Sequence, residues 1–213
     1  MDNRRSFIVG IKSTKLSKKE INFLKNYKPW GVILFTRNIK DIRQANELTS
    51  SIKKIFKDKK YPILIDQEGG RVNRLENIIS FKNLTSEFFG DQYIRNHKKF
   101  IFFYKLFIDK TSFLLRSIGA NINTIPVLDL RIKGSSNIIG DRAYSDKPNI
   151  VSKIGDFCIK HFHKNEIGTV IKHIPGHGLA KVDSHDFTPV INVKETSLLK
   201  RDFTTFKNKK SLF

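Results

Sequence analysis

The sequence predicts an α/β fold in which buried parallel strands alternate with amphipathic helices. Short apolar segments that are rich in β-branched residues recur along the chain, and segments with helical periodicity separate them. Strands this apolar are buried on both faces, which is typical of a parallel sheet covered by helices. The five predicted strands are 7–11, 31–35, 62–66, 121–128 and 168–172.

The segments between the strands carry recognisable helix starts. Ser17, with Glu20 three residues later, forms a capping box for a helix over 17–27. Asp41 is a suitable N-cap for the next helix. The Phe-rich stretch 86–118 predicts one long helix or two shorter ones, Pro148 opens a further helix, and a last helix begins near Glu195.

The polar residues that follow the strands favour a closed barrel over an open doubly wound sheet. Four predicted strands end in polar groups, whereas a doubly wound sheet places its ligand mainly at one switch point. No GxGxxG or Walker motif is present. The strand-end groups are Thr36-Arg37, Asp66 to Arg71, Asp129-Leu130-Arg131 and Lys172-His173.

Composition limits the classes of function that need consideration. The 39% hydrophobic content argues against disorder, and no apolar run is long enough to span a bilayer. The N-terminus does not resemble a signal peptide, and the single Cys158 fits a reducing compartment, so a cytoplasmic location is expected.

The net charge of +20 is spread along the chain, with +11 in residues 1–60 and +9 in the remainder. Because no basic block or nucleic-acid-binding motif accompanies it, we expect lysine-coated helices rather than a specific nucleic-acid or membrane partner.

The loop from Lys172 to Pro189 is the strongest candidate for chemistry. Residues 172–186 of this loop, which follow a buried strand, contain three His and two Asp. Asp183 and His185 are two residues apart, and a carboxylate that orients an imidazole makes a usable acid/base near neutral pH. Two alternatives stay open: a hydrogen-bonded turn, or a metal site formed by His173, His177, Asp183 and His185.

Two further segments carry candidate ligand-binding groups. In the first, Asp66 ends a strand and could accept hydrogen bonds from hydroxyl groups, while Arg71 or Arg74 could donate to an oxygen-rich ligand. Glu68 is expected to form an internal salt bridge with one of these arginines. In the second, Arg142 lies in a Gly-rich loop and could be either a surface residue or a ligand-binding one.

Taken together, these segments resemble the N-terminal catalytic domain of family 3 glycoside hydrolases. The likeness is to the bacterial cytoplasmic β-N-acetylhexosaminidases (β-N-acetylglucosaminidases) of peptidoglycan recycling. The matching pieces occur in order within residues 31–189 and are GVILFTRNI, ILIDQEGGRVNRL, NINTIPVLDL, IGDRAYS and KHIPGHGLAKVDSH.

The resemblance implies one TIM-type (β/α)8 barrel domain over residues 1–213 and retaining hydrolysis of terminal β-linked N-acetylglucosamine, with no metal or other cofactor. It places the acid/base at His185, paired with Asp183. It places substrate contacts at Asp66, Arg74, Arg142, Lys172 and His173. The implied substrate is an N-acetylglucosamine-containing sugar of the muropeptide kind.

The chain departs from the family pattern after His185. The family's nucleophile is an Asp on a later strand, but the acids here are Asp186, beside the loop histidine, and Glu195 and Asp202, which are expected in the last helix. About five of the eight strands are therefore expected, and activity as an enzyme is left open. A truncated or frameshifted product is favoured over one half of a split enzyme completed by a partner chain, or a non-catalytic sugar-binding remnant.

Overall fold

A computed structural model describes residues 4–134, 137–184, 186–207 and 209. The strands are β1 Arg5–Gly10, β2 Pro29–Leu34, β3 Ile63–Ile65, β4 Gln67–Gly69, β5 Val72–Asn73, β6 Ile122–Asn123 and β7 Gly168–Thr169. Five of them form a central parallel sheet in the order β1-β2-β3-β6-β7. The other two, β4 and β5, form a separate antiparallel pair after β3.

Helices cover the outside of the sheet and begin where the sequence predicts. The Ser17–Glu20 capping box is present, and Asp41 accepts a hydrogen bond from the amide of Gln44. The 86–118 stretch forms two helices separated at Asn96, whose side chain caps the second. The helices are α1 Lys18–Tyr27, α2 Ile42–Phe56, α3 Ser86–Arg95, α4 His97–Ser117, α5 Pro148–Lys164 and α6 Glu195–Lys200.

The fourth and fifth predicted strands, 121–128 and 168–172, form regular strands of only two residues each. Regular pairing of β6 with β7 ends after Asn123, because Pro126 has no amide hydrogen to offer a neighbouring strand. The segments nevertheless remain side by side: Val127 bridges Lys172, and the amide of Leu128 donates to the carbonyl of Lys172 at 2.8 Å. This contact carries the chain from the sheet into the strand-end loops.

The segment after β3 is a hairpin and not the start of a helix. Arg71 lies at the turn between β4 and β5, and Arg74 follows β5, so the two arginines do not share one turn of a helix. The buried side-chain amide of Asn123 holds the hairpin by accepting from the amide of Gln67 and donating to its carbonyl, both at 3.0 Å. Asn123 thereby substitutes for a strand neighbour at a point where backbone pairing has stopped.

The core between the sheet and the helices is aromatic around α4. The hydroxyl groups of Tyr104 and Tyr144 lie 2.6 Å apart and are fully buried. Burial raises the pKa of the neighbouring Cys158 thiol to about 12, so this cysteine is an uncharged core group. Tyr144 anchors the loop that carries Arg142 to this core.

Within the described ranges the sheet ends at β1 on one side and at β7 on the other. No helix in the described part of the chain is both long enough and apolar enough to cross a membrane.

Close packing at Gly90 should be essential for the loop that carries Arg142. A Cβ atom at Gly90 would overlap the carbonyl oxygen of Tyr144, which is backbone and cannot rotate away. We expect Gly90→Ala to lower the free energy of unfolding by about 3 kcal/mol, measured by urea unfolding. The control is Gly134→Ala, where no atom of the described residues lies within 4 Å and the φ of +80° is unfavourable, so that the loss should be about 1 kcal/mol. Equal losses in the two variants would contradict the packing argument.

Candidate active site

Polar side chains from distant parts of the chain meet at the carboxyl ends of the parallel strands. Asp66 and Glu68 follow β3 and lie in or beside the β4–β5 hairpin, and Lys172 and His173 follow β7. Arg142 closes a short 3-10 turn at Gly140–Arg142. All five residues are joined in one hydrogen-bonded network.

Glu68 is the centre of this network. Its carboxylate receives two hydrogen bonds from the guanidinium of Arg142, Nε to Oε2 and Nη2 to Oε1, both at 2.8 Å. Lys172 Nζ lies 2.5 Å from Glu68 Oε1. The expected internal salt bridge therefore exists, but its partners are Arg142 and Lys172, and the expectation of Arg71 or Arg74 was wrong.

Arg71 instead holds the loop before Arg142. It donates to Asp141 Oδ1 at 2.9 Å and to the carbonyl of Ile138 at 2.6 Å. Because that loop ends in the turn carrying Arg142, Arg71 helps to position the guanidinium from outside the network.

Asp66 is the second carboxylate of the network. Lys172 Nζ donates to Asp66 Oδ1 at 3.1 Å, and the hydroxyl of Thr124 donates to the same oxygen. Arg74 Nη2 lies 3.7 Å from Asp66 Oδ2, and its guanidinium sits over the ring of Phe35, 5.7 Å from the centroid. The Nε of Arg74 is buried without a hydrogen-bond partner among the described residues.

Both carboxyl groups are held in their charged forms. Burial acts to raise the pKa of Glu68, but the hydrogen bonds and charges of Arg142 and Lys172 outweigh it and keep that pKa below its usual range. Burial likewise opposes the ionisation of Asp66, and Lys172, Thr124 and Arg74 together hold its pKa low. For Arg142, burial is outweighed by Glu68, so the pKa of the guanidinium is raised.

His173 is oriented by a fully buried carboxylate. Asp129 Oδ2 accepts from His173 Nδ1 at 2.6 Å, and Asp129 Oδ1 accepts from the backbone amide of His177 at 2.6 Å. With Nδ1 donating to Asp129, Nε2 is left to accept from Arg142 Nη2, 3.3 Å away. Asp129 therefore fixes both the tautomer of His173 and the path of the loop that follows.

The loop after His173 carries the predicted acid/base pair. The carbonyl of Asp183 accepts from the amides of Asp186 and Phe187, which makes a turn. His185 lies outside the described residues, so the predicted pairing of Asp183 with His185 stays a prediction. His177 has both ring nitrogens buried without a hydrogen-bond partner in the described part of the chain.

The described residues give no support to the alternative of a metal site. Across residues 4–134, 137–184, 186–207 and 209, no group of three or more His, Cys, Asp or Glu side chains is arranged to hold a metal ion. His173 Nδ1 is already engaged by Asp129. The fourth proposed ligand, His185, is not among the described residues.

The acids beyond the loop do not follow a strand. Glu195 is the first residue of α6, but Asp202 lies beyond the end of that helix, at the start of a 3-10 turn, which corrects the expected position. Asp202 is buried, accepts from Arg201 Nε at 3.1 Å, and packs against Gly176. Its described contacts support the loop after His173.

A parallel β/α sheet with carboxylates, cations and a histidine converging at its carboxyl-terminal face is the arrangement typical of (β/α) barrel domains. The chain belongs to glycoside hydrolase family 3: the Glycosyl hydrolase family 3 N terminal domain matches residues 8–209. That domain is a (β/α)8 barrel, and the five-stranded parallel sheet confirms the predicted fold as an incomplete barrel of this kind.

Curated relatives support the same family. A beta-hexosaminidase of Thioalkalivibrio sulfidiphilus is 33% identical over 184 residues, which is 86% of this chain and 52% of the relative. A beta-hexosaminidase of Xanthomonas axonopodis pv. citri is 33% identical over 180 residues. The chain thus spans about half the length of the curated relatives it matches.

Solved structures agree with the sequence relatives. Native NagZ from Neisseria gonorrhoeae superposes with a TM-score of 0.85 at 26% identity, covering 95% of this chain and 58% of NagZ. A family 3 β-N-acetylglucosaminidase from Paenibacillus sp. has a TM-score of 0.81 at 26% identity and covers 94% of this chain and 37% of its own. The Neisseria protein has also been solved in complex with N-trifluoroacetyl-D-glucosamine.

Sequence reasoning did not assign several residues that shape the site. Asp129 was among the predicted strand-end groups but was given no orienting role, and Thr124, which bonds Asp66, was placed inside a predicted strand although it follows β6. The role of Asn123 could not be predicted, because nothing in the sequence distinguishes it from any other polar residue inside a strand segment.

Removing the charge of Glu68 should destabilise the fold and change its acid response. In Glu68→Gln, Arg142 and Lys172 lose their shared counter-charge, and we expect the free energy of unfolding at pH 7 to fall by about 3 kcal/mol. The folded-state pKa values of Glu68 and Asp66 lie below their ordinary values of 4.5 and 3.8. Their stabilisation is therefore complete above these values and is lost as the pH falls through the lower folded values.

Urea unfolding between pH 3 and pH 7 measures both effects, and the variant should lose less stability on acidification than the parent. The matched control is Glu47→Gln, which removes an exposed ion pair with Arg43 on α2 and should change stability by less than about 0.5 kcal/mol. A Glu68→Gln loss no larger than that of the control would contradict the assignment.

Proposed function

We propose that this chain forms the sugar-binding and acid/base part of a retaining β-N-acetylglucosaminidase. The terminal N-acetylglucosamine is held by Asp66, Arg74, Arg142, Lys172 and His173, and Asp183 and His185 form the acid/base pair. The observation that carries the proposal is the network joining the five binding residues at the carboxyl ends of the strands. The substrate class follows from the relatives, which are beta-hexosaminidases and β-N-acetylglucosaminidases by description.

The network suits a neutral sugar. Three carboxylates, on Asp66, Glu68 and Asp129, face the three cations Lys172, Arg142 and Arg74. Because the charges balance, the site offers hydrogen-bond donors and acceptors rather than a strong field of one sign. Hydroxyl and acetamido groups match such a site, and Asp66 is the natural acceptor for sugar hydroxyls.

Retaining hydrolysis needs a carboxylate nucleophile on the face of the sugar opposite the acid/base. Asp186, Glu195 and Asp202, the acids beyond His185, do not follow a strand of the described sheet. We therefore propose that this domain binds the sugar and that turnover needs further barrel strands, one of which carries the nucleophile. With those strands, His185 protonates the leaving oxygen and later activates water, while Asp183 orients its ring.

The proposal extends to the identity of the aglycone and to the cellular process. We propose a muropeptide-like substrate in the peptidoglycan recycling of a cytoplasmic compartment. A sugar-binding remnant without turnover is the second candidate, and the lack of a strand-end acid after His185 favours it. The next two experiments separate the candidates.

Arg74 tests sugar binding. Its Nε has no hydrogen-bond partner among the described residues and its Nη2 lies 3.7 Å from Asp66 Oδ2, so removing the arginine breaks no short hydrogen bond in that part of the chain. By calorimetry with millimolar N-acetylglucosamine, Arg74→Ala should weaken binding about tenfold or more. Arg43→Ala, which removes an exposed arginine on α2, is the control and should bind as the parent does. No heat from the parent chain at millimolar sugar would refute the binding proposal for both candidates.

Complementation tests turnover. The purified chain should release no chromophore from an aryl N-acetylglucosaminide, because no acid after His185 follows a strand in the described residues. Adding the segment of Neisseria gonorrhoeae NagZ that lies outside the aligned part should restore release. His185→Ala in that complex should lower the rate by about a hundredfold with little change in sugar affinity. Binding without release, even in the complemented mixture, would favour the remnant.

A further inference from the structure

The outer face of α4 carries an apolar stripe that the core does not use. The inner face buries Phe100, Tyr104 and Phe107. On the opposite face, the exposed fractions are 65% for Phe102, 56% for Leu106 and 55% for Phe113. These side chains are four and seven residues apart along the helix, so they share one face over roughly 16 Å at 1.5 Å per residue.

Basic side chains border this stripe on both sides. Lys98 and Lys105 lie on one side of the line from Phe102 to Phe113, and Lys99 and Lys110 lie on the other, by helical geometry. Residues 94–117 contain six Lys or Arg and a single acid, Asp109, whose carboxylate is paired with Lys105 at 2.6 Å. Lys110 Nζ also lies 5.6 Å from the ring centre of Phe113, so charge and aromatic surface are in direct contact.

We propose that the outer face of α4 docks on the surface of a bilayer that contains anionic lipids. Phenylalanine and leucine side chains enter the boundary between headgroups and acyl chains, while the flanking lysines contact the anionic headgroups. The helix lies in the plane of the interface, which requires no membrane-spanning segment. This proposal departs from the sequence-based expectation of no membrane partner, because the exposed apolar stripe and its lysine border become visible only in the folded helix.

Charge complementarity selects this occupant over a second copy of the chain. Two copies meeting through this face would bring two strongly basic, lysine-bordered stripes together, and the repulsion would oppose the apolar contact. An anionic bilayer instead supplies both an apolar phase and negative charge. The stripe lies on the outside of the helix layer and the candidate active site at the strand ends, so the proposal does not depend on the proposed function.

Vesicle co-sedimentation of the full chain tests the proposal. Binding to phosphatidylcholine vesicles with 30% phosphatidylglycerol, in moderate salt, should exceed binding to pure phosphatidylcholine about tenfold or more. Phe102→Ser with Leu106→Ser should lower the partition coefficient about tenfold. The control is Phe23→Ser with Tyr27→Ser, an exposed aromatic pair on α1, and it should partition as the parent does.

The net charge of +20 requires a second pair of variants. A variant with Glu at Lys98, Lys99 and Lys110 should lose the preference for anionic vesicles. A control variant with Glu at Lys18, Lys19 and Lys25 of α1 should keep most of that preference. Circular dichroism confirms that each variant is folded. In addition, Phe102→Trp should show a blue-shifted emission component with anionic vesicles only.

Three results would overturn the proposal. The first is equal loss of binding in the α4 and α1 charge variants, which would show attraction by overall charge alone. The second is binding that is unaffected by the serine pair on α4. The third is a dimer in lipid-free solution that the α4 serine pair dissociates, which would assign the stripe to a second copy.

Discussion

The arrangement of side chains at the carboxyl ends of the strands depends on one constraint: a buried charge needs a partner of opposite charge. Glu68 is 6% exposed, and a carboxylate so placed is tolerated only because Arg142 and Lys172 surround it. Those partners come from a turn after residue 139 and from the end of β7. The ion pairs of this one buried acid therefore fix how three separate loops meet. The geometry of the candidate sugar site follows from those ion pairs.

This constraint supplies geometry rather than net stability. The cost of removing several charges from water offsets much of their mutual attraction, so apolar packing beneath the site must provide the stability. The anchors are visible one layer down: Tyr144 holds the Arg142 loop to the core, and Asn123 holds the β4–β5 hairpin. A ligand that meets this face finds its donors and acceptors already oriented, which reduces the ordering cost of binding.

The sequence predicted those features that local chemistry determines. The capping box at Ser17, the cap at Asp41 and the helix start at Pro148 need only neighbouring residues, and the structure confirms them. Strand ends were placed within a few residues, which brought Asp66, Lys172 and His173 to one face. The pairing of Glu68 could not be predicted, because Arg142 is 74 residues away and two nearer arginines were equally plausible partners.

The exposed residues of α4 show a similar limit. Periodicity identifies a helix over 97–117 but, because apolar residues occur almost all round it, periodicity cannot say which face is buried. The structure separates the two faces: the inner one fills the core with Phe100, Tyr104 and Phe107, and the outer one retains Phe102 and Leu106 in water. Polar residues at these outer positions would leave every core contact in place. The apolar outer face is therefore not explained by folding, and its lysine border is what gives it a chemistry that a partner surface can match.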